Sequence, residues 1–306
     1  MVPPASALVG YAGALHVDFR SAAADVDFRS AAADVGPSGD GPLILFVHGA
    51  MDRGTSFARL RLSIGSSIGS SGGSSGGSST LTYDRRGYAN SVRARPARSF
   101  SDHTADLIEL VDVATADSVT GRDRACIIVG HSYGGDLAIA AAEQRPETVA
   151  GIVVFEAPMP WTPWWPDRRA GGGTLAIGHD AGPAAAAEAF MRRIVGDRVW
   201  ERLGEATRDA RRAEGAALLI DLGGLREGGR PFDPGRVRCP VAVAYGSESA
   251  SHQRRSAYEA VVSLAQCRPT LHAIRGAGHG AHLSHAGELA EVVRVVVQRV
   301  MTAKNA

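Results

Sequence analysis

The segment "CIIVGHSYGG" sets Gly130, His131, Ser132, Tyr133 and Gly134 in a Gly-x-Ser-x-Gly pattern, directly after a short apolar run and directly before an alanine-rich one. A chain that reverses sharply from strand to helix leaves no room for side chains two positions either side of the turning residue. Glycine at both places serves that geometry, and the turn lifts the serine hydroxyl clear of the sheet while aiming the helix N-terminus at developing negative charge. In this context the motif predicts a nucleophile elbow centred on Ser132 rather than a glycine-rich turn with an idle serine. A serine hydroxyl is a weak nucleophile and needs a base within hydrogen-bond reach and donors for the oxyanion it creates. "AIRGAGHGAHLSH" supplies the base, His279, in a glycine-rich loop after the last strand-like run. "FVHGAMD" puts His48, Gly49 and Ala50 just past the first buried strand, where a backbone N–H can turn towards the serine. His282 and His285 follow His279 at regular spacing, but no neighbouring carboxylate or cysteine completes a metal-ligand set. No metal and no cofactor are expected, and the two later histidines are assigned to the start of the final helix.

These groups need a scaffold that brings distant loops to one edge. The runs "LILFV" (43–47), "TLTY" (80–83), "CIIV" (126–129), "GIVVF" (151–155), "VAVAY" (241–245) and "TLHAI" (270–274) are short, mostly apolar and often β-branched, as strands covered on both faces should be. Helical patterns fall between them. An alanine-rich helix over 136–145 stops against Pro146, and Leu289, Val292, Val293, Val296 and Val300 form one stripe on the last helix. Alternating strands and helices predict an α/β fold with a mostly parallel central sheet and helices on both faces, its sites gathered beyond the carboxyl ends of the strands.

With those residues in place, the chain resembles the α/β-hydrolase superfamily. Strand-His-Gly-X (His48, Gly49, Ala50), Asp-x-Arg-Gly (Asp84, Arg86, Gly87), Gly-x-Ser-x-Gly at Ser132 and a late Gly-His (Gly278, His279) occur in the family's order, from about Leu43 to the end. The resemblance implies Ser132 as nucleophile, His279 as base and then acid, and the backbone amides of Ala50 and Tyr133 as oxyanion hole. Ala89 departs from it, standing where many members have a second glycine. The family order Ser…acid…His leaves two glutamates at strand ends, Glu156 after "GIVVF" and Glu248 after "VAVAY". Many members carry Gly-x-x-Asp at the second place, where this chain has Ser249, and some place the acid at the first. Glu156 is therefore the expected acid and Glu248 the alternative.

Between 157 and 238 the strand pattern gives way to a helical, arginine-rich insertion, whose position matches the cap that many members carry over the site. Its entrance "PMPWTPWWPD" suggests an aromatic wall, with Trp161 assigned to substrate binding, although a satellite core under the cap accounts for the tryptophans as well.

With 44% hydrophobic and 21% charged residues in 306, the chain can bury a large core. A net charge of +1 gives no nucleic-acid footprint, and no run is long enough to span a membrane. Cys126, Cys239 and Cys267 lie in or beside apolar runs without metal-ligand spacing, which predicts buried free thiols and a cytoplasmic setting; the N-terminus lacks the basic start of a signal peptide. The serine-glycine tract at 63–80 looks like an interdomain linker. A boundary there would separate Ala50 from Ser132 and His279, so the tract is expected to be a surface loop within one domain, with the first crossover helix ending near Leu62. The nine-residue unit "VDFRSAAAD" occurs twice, over 17–34, and one copy is expected to pair as a strand. The sequence thus points to a cofactor-independent serine hydrolase acting on an ester, thioester, lactone or amide of a small, largely apolar molecule. A non-catalytic ligand-binding protein and an acyltransferase on the same fold are the alternatives; oligomeric state is not legible.

Overall fold

The computed structural model describes residues 8–12, 15–20, 41–68, 78–93, 97–116 and 124–304. Eight strands form one sheet: β1 (Leu8–Ala12), β2 (Leu15–Arg20), β3 (Leu43–Val47), β4 (Ser79–Asp84), β5 (Cys126–His131), β6 (Val149–Phe155), β7 (Val241–Gly246) and β8 (Thr270–Ile274). Their spatial order is β1-β2-β4-β3-β5-β6-β7-β8. The six from β4 to β8 run parallel, while β1 and β2 add an antiparallel edge. All six apolar runs read from the sequence are strands. The first copy of the duplicated unit contributes Val17–Arg20 to β2, and the second lies outside the described residues.

The uninterrupted apolar character of the central strands follows from burial on both faces. Leu43, Leu45, Val47, Ile128, Val154 and Val243 point into one core, which α2 (Phe100–Thr115), α3 (Tyr133–Gln144) and α9 (Ser251–Ser263) cover. Their alternate neighbours Ile44, Phe46, Ile127, Val153 and Ala242 point into the other, covered by α1 (Ala58–Ile68) and α11 (Ala286–Lys304). The stripe Leu289, Val292, Val293, Val296 and Val300 is the buried face of α11. All three cysteines are buried free thiols.

The serine-glycine tract departs from expectation. Strands β3 and β4 on its two sides are neighbours in the same sheet, yet α1 does not stop near Leu62 but continues to Ile68. Ile64, one turn beyond Leu60, is 1% exposed in the second core, so a single apolar residue at helical spacing anchors the extra turn. The side chain of Arg294 on α11 also donates to the carbonyl of Ser63. The middle of the tract, 69–77, lies outside the described residues.

Between β6 and β7 the chain forms five α-helices: α4 (Gly173–Ala181), α5 (Pro183–Val195), α6 (Asp197–Arg202), α7 (Glu205–Ala213) and α8 (Gly215–Gly224). Gly182 and Gly196, at φ of 87° and 84°, make the breaks on either side of α5. Two of the contacts that tie this insertion to the rest of the fold lie near the loops after β3 and β4. Met51 and Tyr88 share a small apolar cluster with Ala187, Phe190, Ala217 and Leu218. Asp221 on α8, fully buried, accepts a bidentate pair from Arg85 (2.6 and 3.2 Å) and a hydrogen bond from the Tyr88 hydroxyl (2.6 Å).

Candidate active site

Ser132 sits between β5 and α3 at φ 54°, ψ −125°, a conformation that L residues rarely adopt. The turn is held by its own N–H donating to the Phe155 carbonyl (2.8 Å) and by Gly135 N–H donating to the Ser132 carbonyl (2.7 Å). The flanking glycines are sterically required. A Cβ on Gly130 would lie 2.2 Å from the Gly134 carbonyl oxygen, and one on Gly134 would lie 2.1 Å from that of Val47. The loop after β3 passes directly against the serine, since a Cβ on Gly49 would come within 2.9 Å of Ser132 Cβ. Ala50 is next in that loop and packs on the cluster of Met51 and Phe190, to which Met191 and Leu222 of the insertion also pack. Tyr133 turns its ring into the core against Phe100 and under Arg85, leaving its backbone at the start of α3.

His48 supports this loop. Its Nδ1–H donates to the Gly49 carbonyl (2.8 Å), which leaves Nε2 to accept from Arg85 N–H (2.8 Å). Burial, with the Arg85 charge beside it, pushes the imidazole down to about 4 and keeps it neutral.

His279 lies in the loop between β8 and the short helix α10 (Ala281–Ser284), and its Nδ1 meets Glu156 Oε2 at 2.5 Å. The carboxylate is completely buried, the imidazole 27% exposed. Glu156 Oε1 accepts from Gly246 N–H (2.8 Å), and the Ser249 hydroxyl stands beside the carboxylate without hydrogen-bond alignment. Burial alone would raise the Glu156 carboxyl; the His279 imidazole, Ser249 and the Gly246 N–H together outweigh it and hold the group below its ordinary value. Burial lowers the His279 imidazole, with the Glu156 bond pulling the other way. Glu248 is exposed and accepts from the Ser247 hydroxyl (3.3 Å), so of the two glutamates it is Glu156 that reaches His279. Among the described residues five non-glycines have positive φ, and three of them, Met51, Ser132 and Glu156, belong to this site. A fourth, Ala89 at φ 44°, has a backbone conformation that glycine adopts without strain; its N–H donates to Glu214 of the insertion.

The tryptophans divide. Trp161 meets Phe232 edge-on at 5.8 Å and lines a cleft with Ile139, Met159 and Leu264 that includes none of Ser132, His279 and Glu156. Trp165 instead packs edge-on against His252 (4.9 Å), whose imidazole feels the charges of His279 and Glu156. Sequence reasoning also missed Asp52, which lies 3.2 Å from His282 Nε2. The "FVHGAMD" segment displays that aspartate, but nothing local says which histidine it meets.

The fold, the elbow and the His279–Glu156 pair are what a match across the chain would require, and residues 44–292 match the model of the "Alpha/beta hydrolase family". The chain belongs to the alpha/beta hydrolase family. Among curated proteins, this α/β hydrolase is similar to the 2-(acetamidomethylene)succinate hydrolase of Mesorhizobium japonicum, at 26% identity over 118 residues. That match spans 39% of this chain and about a third (36%) of the relative's length. Among solved structures it resembles the bromoperoxidase of Bacillus anthracis (TM-score 0.65, 16% identity, 93% of this chain and 96% of that one). It also resembles the enol-lactonase of Burkholderia xenovorans (TM-score 0.63, 15% identity, 95% and 100%). At those identities the structures speak for the shared fold. No helix among the described residues is long and apolar enough to cross a membrane.

Proposed function

We propose that this α/β hydrolase is a serine hydrolase that cleaves an ester, thioester, lactone or amide through an acyl-serine intermediate. The observation that carries the reading is the buried Glu156 carboxylate on His279 Nδ1, at the same sheet edge as a strained serine turn. An Nδ1–H held by a carboxylate leaves the lone pair on Nε2, the tautomer a general base needs.

In the proposed cycle Ser132 Oγ attacks the substrate carbonyl carbon as its proton passes to His279 Nε2. The oxyanion is met by the Ala50 backbone N–H and by that of Tyr133 at the N-terminus of α3, whose dipole favours negative charge. Glu156 stabilises the imidazolium, which then protonates the leaving group. Water, deprotonated by the same imidazole, attacks the acyl-serine and releases the acid. The insertion between β6 and β7 serves as a cap, and the apolar cluster it shares with Ala50, to which Met191 and Leu222 also pack, suits a small, largely apolar acyl group.

The test is labelling by a fluorophosphonate probe together with turnover of p-nitrophenyl esters of varied chain length, in a cytoplasmic-type buffer without added cofactor. Labelling at Ser132 and turnover that both vanish in Ser132→Ala are the expected result. An unlabelled, folded protein that turns over no member of the panel would overturn the proposal.

A further inference from the structure

A second group of polar side chains converges at this sheet edge. Asp52 comes from the loop after β3, His131 is the last residue of β5, and His282 lies in α10. One ligand atom from each lies within 4.8 Å of the other two. Asp52 Oδ2 is 3.2 Å from His282 Nε2 and 3.7 Å from His131 Nδ1. All three atoms are buried and make no hydrogen bond. Buried polar atoms in native proteins are nearly always partnered, because one left alone keeps the full cost of its lost hydration.

The remaining bonds of these residues define what is missing. His131 Nε2 lies 2.8 Å from the His279 carbonyl oxygen, which can accept only from an N–H, so in the neutral ring Nδ1 carries the lone pair. That lone pair faces a carboxylate oxygen that has lone pairs alone, a repulsive arrangement unless something positive or proton-donating stands between them. Asp52 Oδ1 is already engaged by Arg53 N–H at 2.9 Å, which leaves Oδ2 turned towards the histidines.

We propose that Asp52, His131 and His282 form a site for a divalent transition-metal ion, zinc foremost. Two imidazole nitrogens and one carboxylate oxygen are a donor set that zinc accepts, whereas magnesium and calcium favour oxygen throughout. Bonds of about 2.0–2.2 Å in a tetrahedral site separate neighbouring donors by roughly 3.3 Å, close to both measured spacings. The His131 N–H on a backbone carbonyl is the usual outer support of a ligating histidine. Such an ion would join the loop that carries Ala50, the residue before Ser132, and the helix that follows His279. Its role is to hold these segments, and the proposed acyl chemistry does not pass through it.

The experiment uses untagged protein dialysed against a chelator, then titrated with zinc by calorimetry and with cobalt(II) by visible absorption. One zinc per chain, a raised melting temperature and the intense absorption of four-coordinate cobalt are expected. Asp52→Asn and His282→Gln should each weaken zinc binding by at least about 100-fold, since even the outer supports of metal ligands cost 10–100-fold. His285→Gln should leave it unchanged. Asp52 is 18% exposed, so its amide variant keeps the test decisive should His282→Gln not fold. Failure to bind zinc stoichiometrically, as a water-filled cluster would show, overturns the proposal. So does binding that survives both variants, or binding that disappears in His285→Gln. None of these readouts depends on hydrolytic activity.

Discussion

Replacing Glu156 by glutamine tests the pairing on which the proposed mechanism rests. The carboxylate serves two donors at once, His279 Nδ1–H at 2.5 Å and Gly246 N–H at 2.8 Å. An amide has one oxygen for the two. If it stays on Gly246, the NH2 group faces His279 and forces Nδ1 to accept, which moves the imidazole proton to Nε2 and removes the base. If it flips, two N–H groups face each other in a fully buried position, and the imidazolium loses its counter-charge in either case. Loss of the correct tautomer is worth about ten-thousandfold in kcat, equivalent to about 5.5 kcal/mol in the barrier. The assay is steady-state hydrolysis of the best p-nitrophenyl ester, with circular dichroism and a melting curve establishing that the variant is folded. Glu248→Gln is the control, expected to lose less than about tenfold, since its side chain is exposed and engages Ser247. A folded Glu156→Gln within tenfold of the parent would refute the reasoning, and a large loss confined to Glu248→Gln would move the acid to the later strand.

The acid limb of kcat/KM should fall below the ordinary imidazole value of 6.5, because burial lowers His279 and activity is lost as pH drops through its pKa. In Glu156→Gln the residual activity should titrate lower still, since the carboxylate is what pulls the imidazole upward; a limb above 6.5 in a stopped-flow pH series contradicts this. Ile64→Ala should cost about 2–5 kcal/mol in urea unfolding, and Leu62→Ala, at a position 61% exposed, about 0.5 kcal/mol or less. Equal costs would mean that α1 is not anchored beyond Leu62. Asp221→Asn leaves Arg85 buried without a counter-charge and should cost about 3–5 kcal/mol by the same measurement.

What could be read from the sequence was what depends on neighbours in the chain. The strands announced themselves because both faces are covered, so that Leu43–Val47 needs five apolar residues in a row. The elbow was legible because its steric demand falls on Gly130 and Gly134, two residues from Ser132. Glu156 required more: the family's order narrowed the acid to strand ends, and the missing aspartate at Ser249 tilted the choice. What failed depends on tertiary contact. Composition averaged Ile64 into a serine-glycine background, although one apolar residue at the right turn suffices to extend a helix. Three tryptophans between prolines marked a wall without saying which faces the site, and the fold turns Trp161 to Phe232 and Trp165 to His252. For the histidines at 279, 282 and 285 the sequence shows no neighbouring carboxylate or cysteine, and so no ligand set. His282 meets Asp52 and His131 instead, residues that only the sheet order brings to it.

The same dependence explains why Arg85 matters more than its place in the Asp-x-Arg-Gly turn suggests. Its guanidinium donates to the carbonyls of His48 (3.0 Å) and Gly49 (3.1 Å) as well as to Asp221. With those two carbonyls committed to Arg85, the peptide planes of the loop after β3 are fixed, and the amide of Ala50 that follows is fixed with them. An oxyanion donor is useful in proportion to how little it must reorganise when charge develops. The fully buried Asp221 is thus an electrostatic tie between the insertion and the loop that would hold the oxyanion. A cap displaced from α8 outward would have to leave Arg85 unpaired in the core, so rigid-body opening at that contact is disfavoured by several kcal/mol. Substrate entry is therefore expected where no such tie exists, by the side of the insertion where Trp165 packs on His252 of α9.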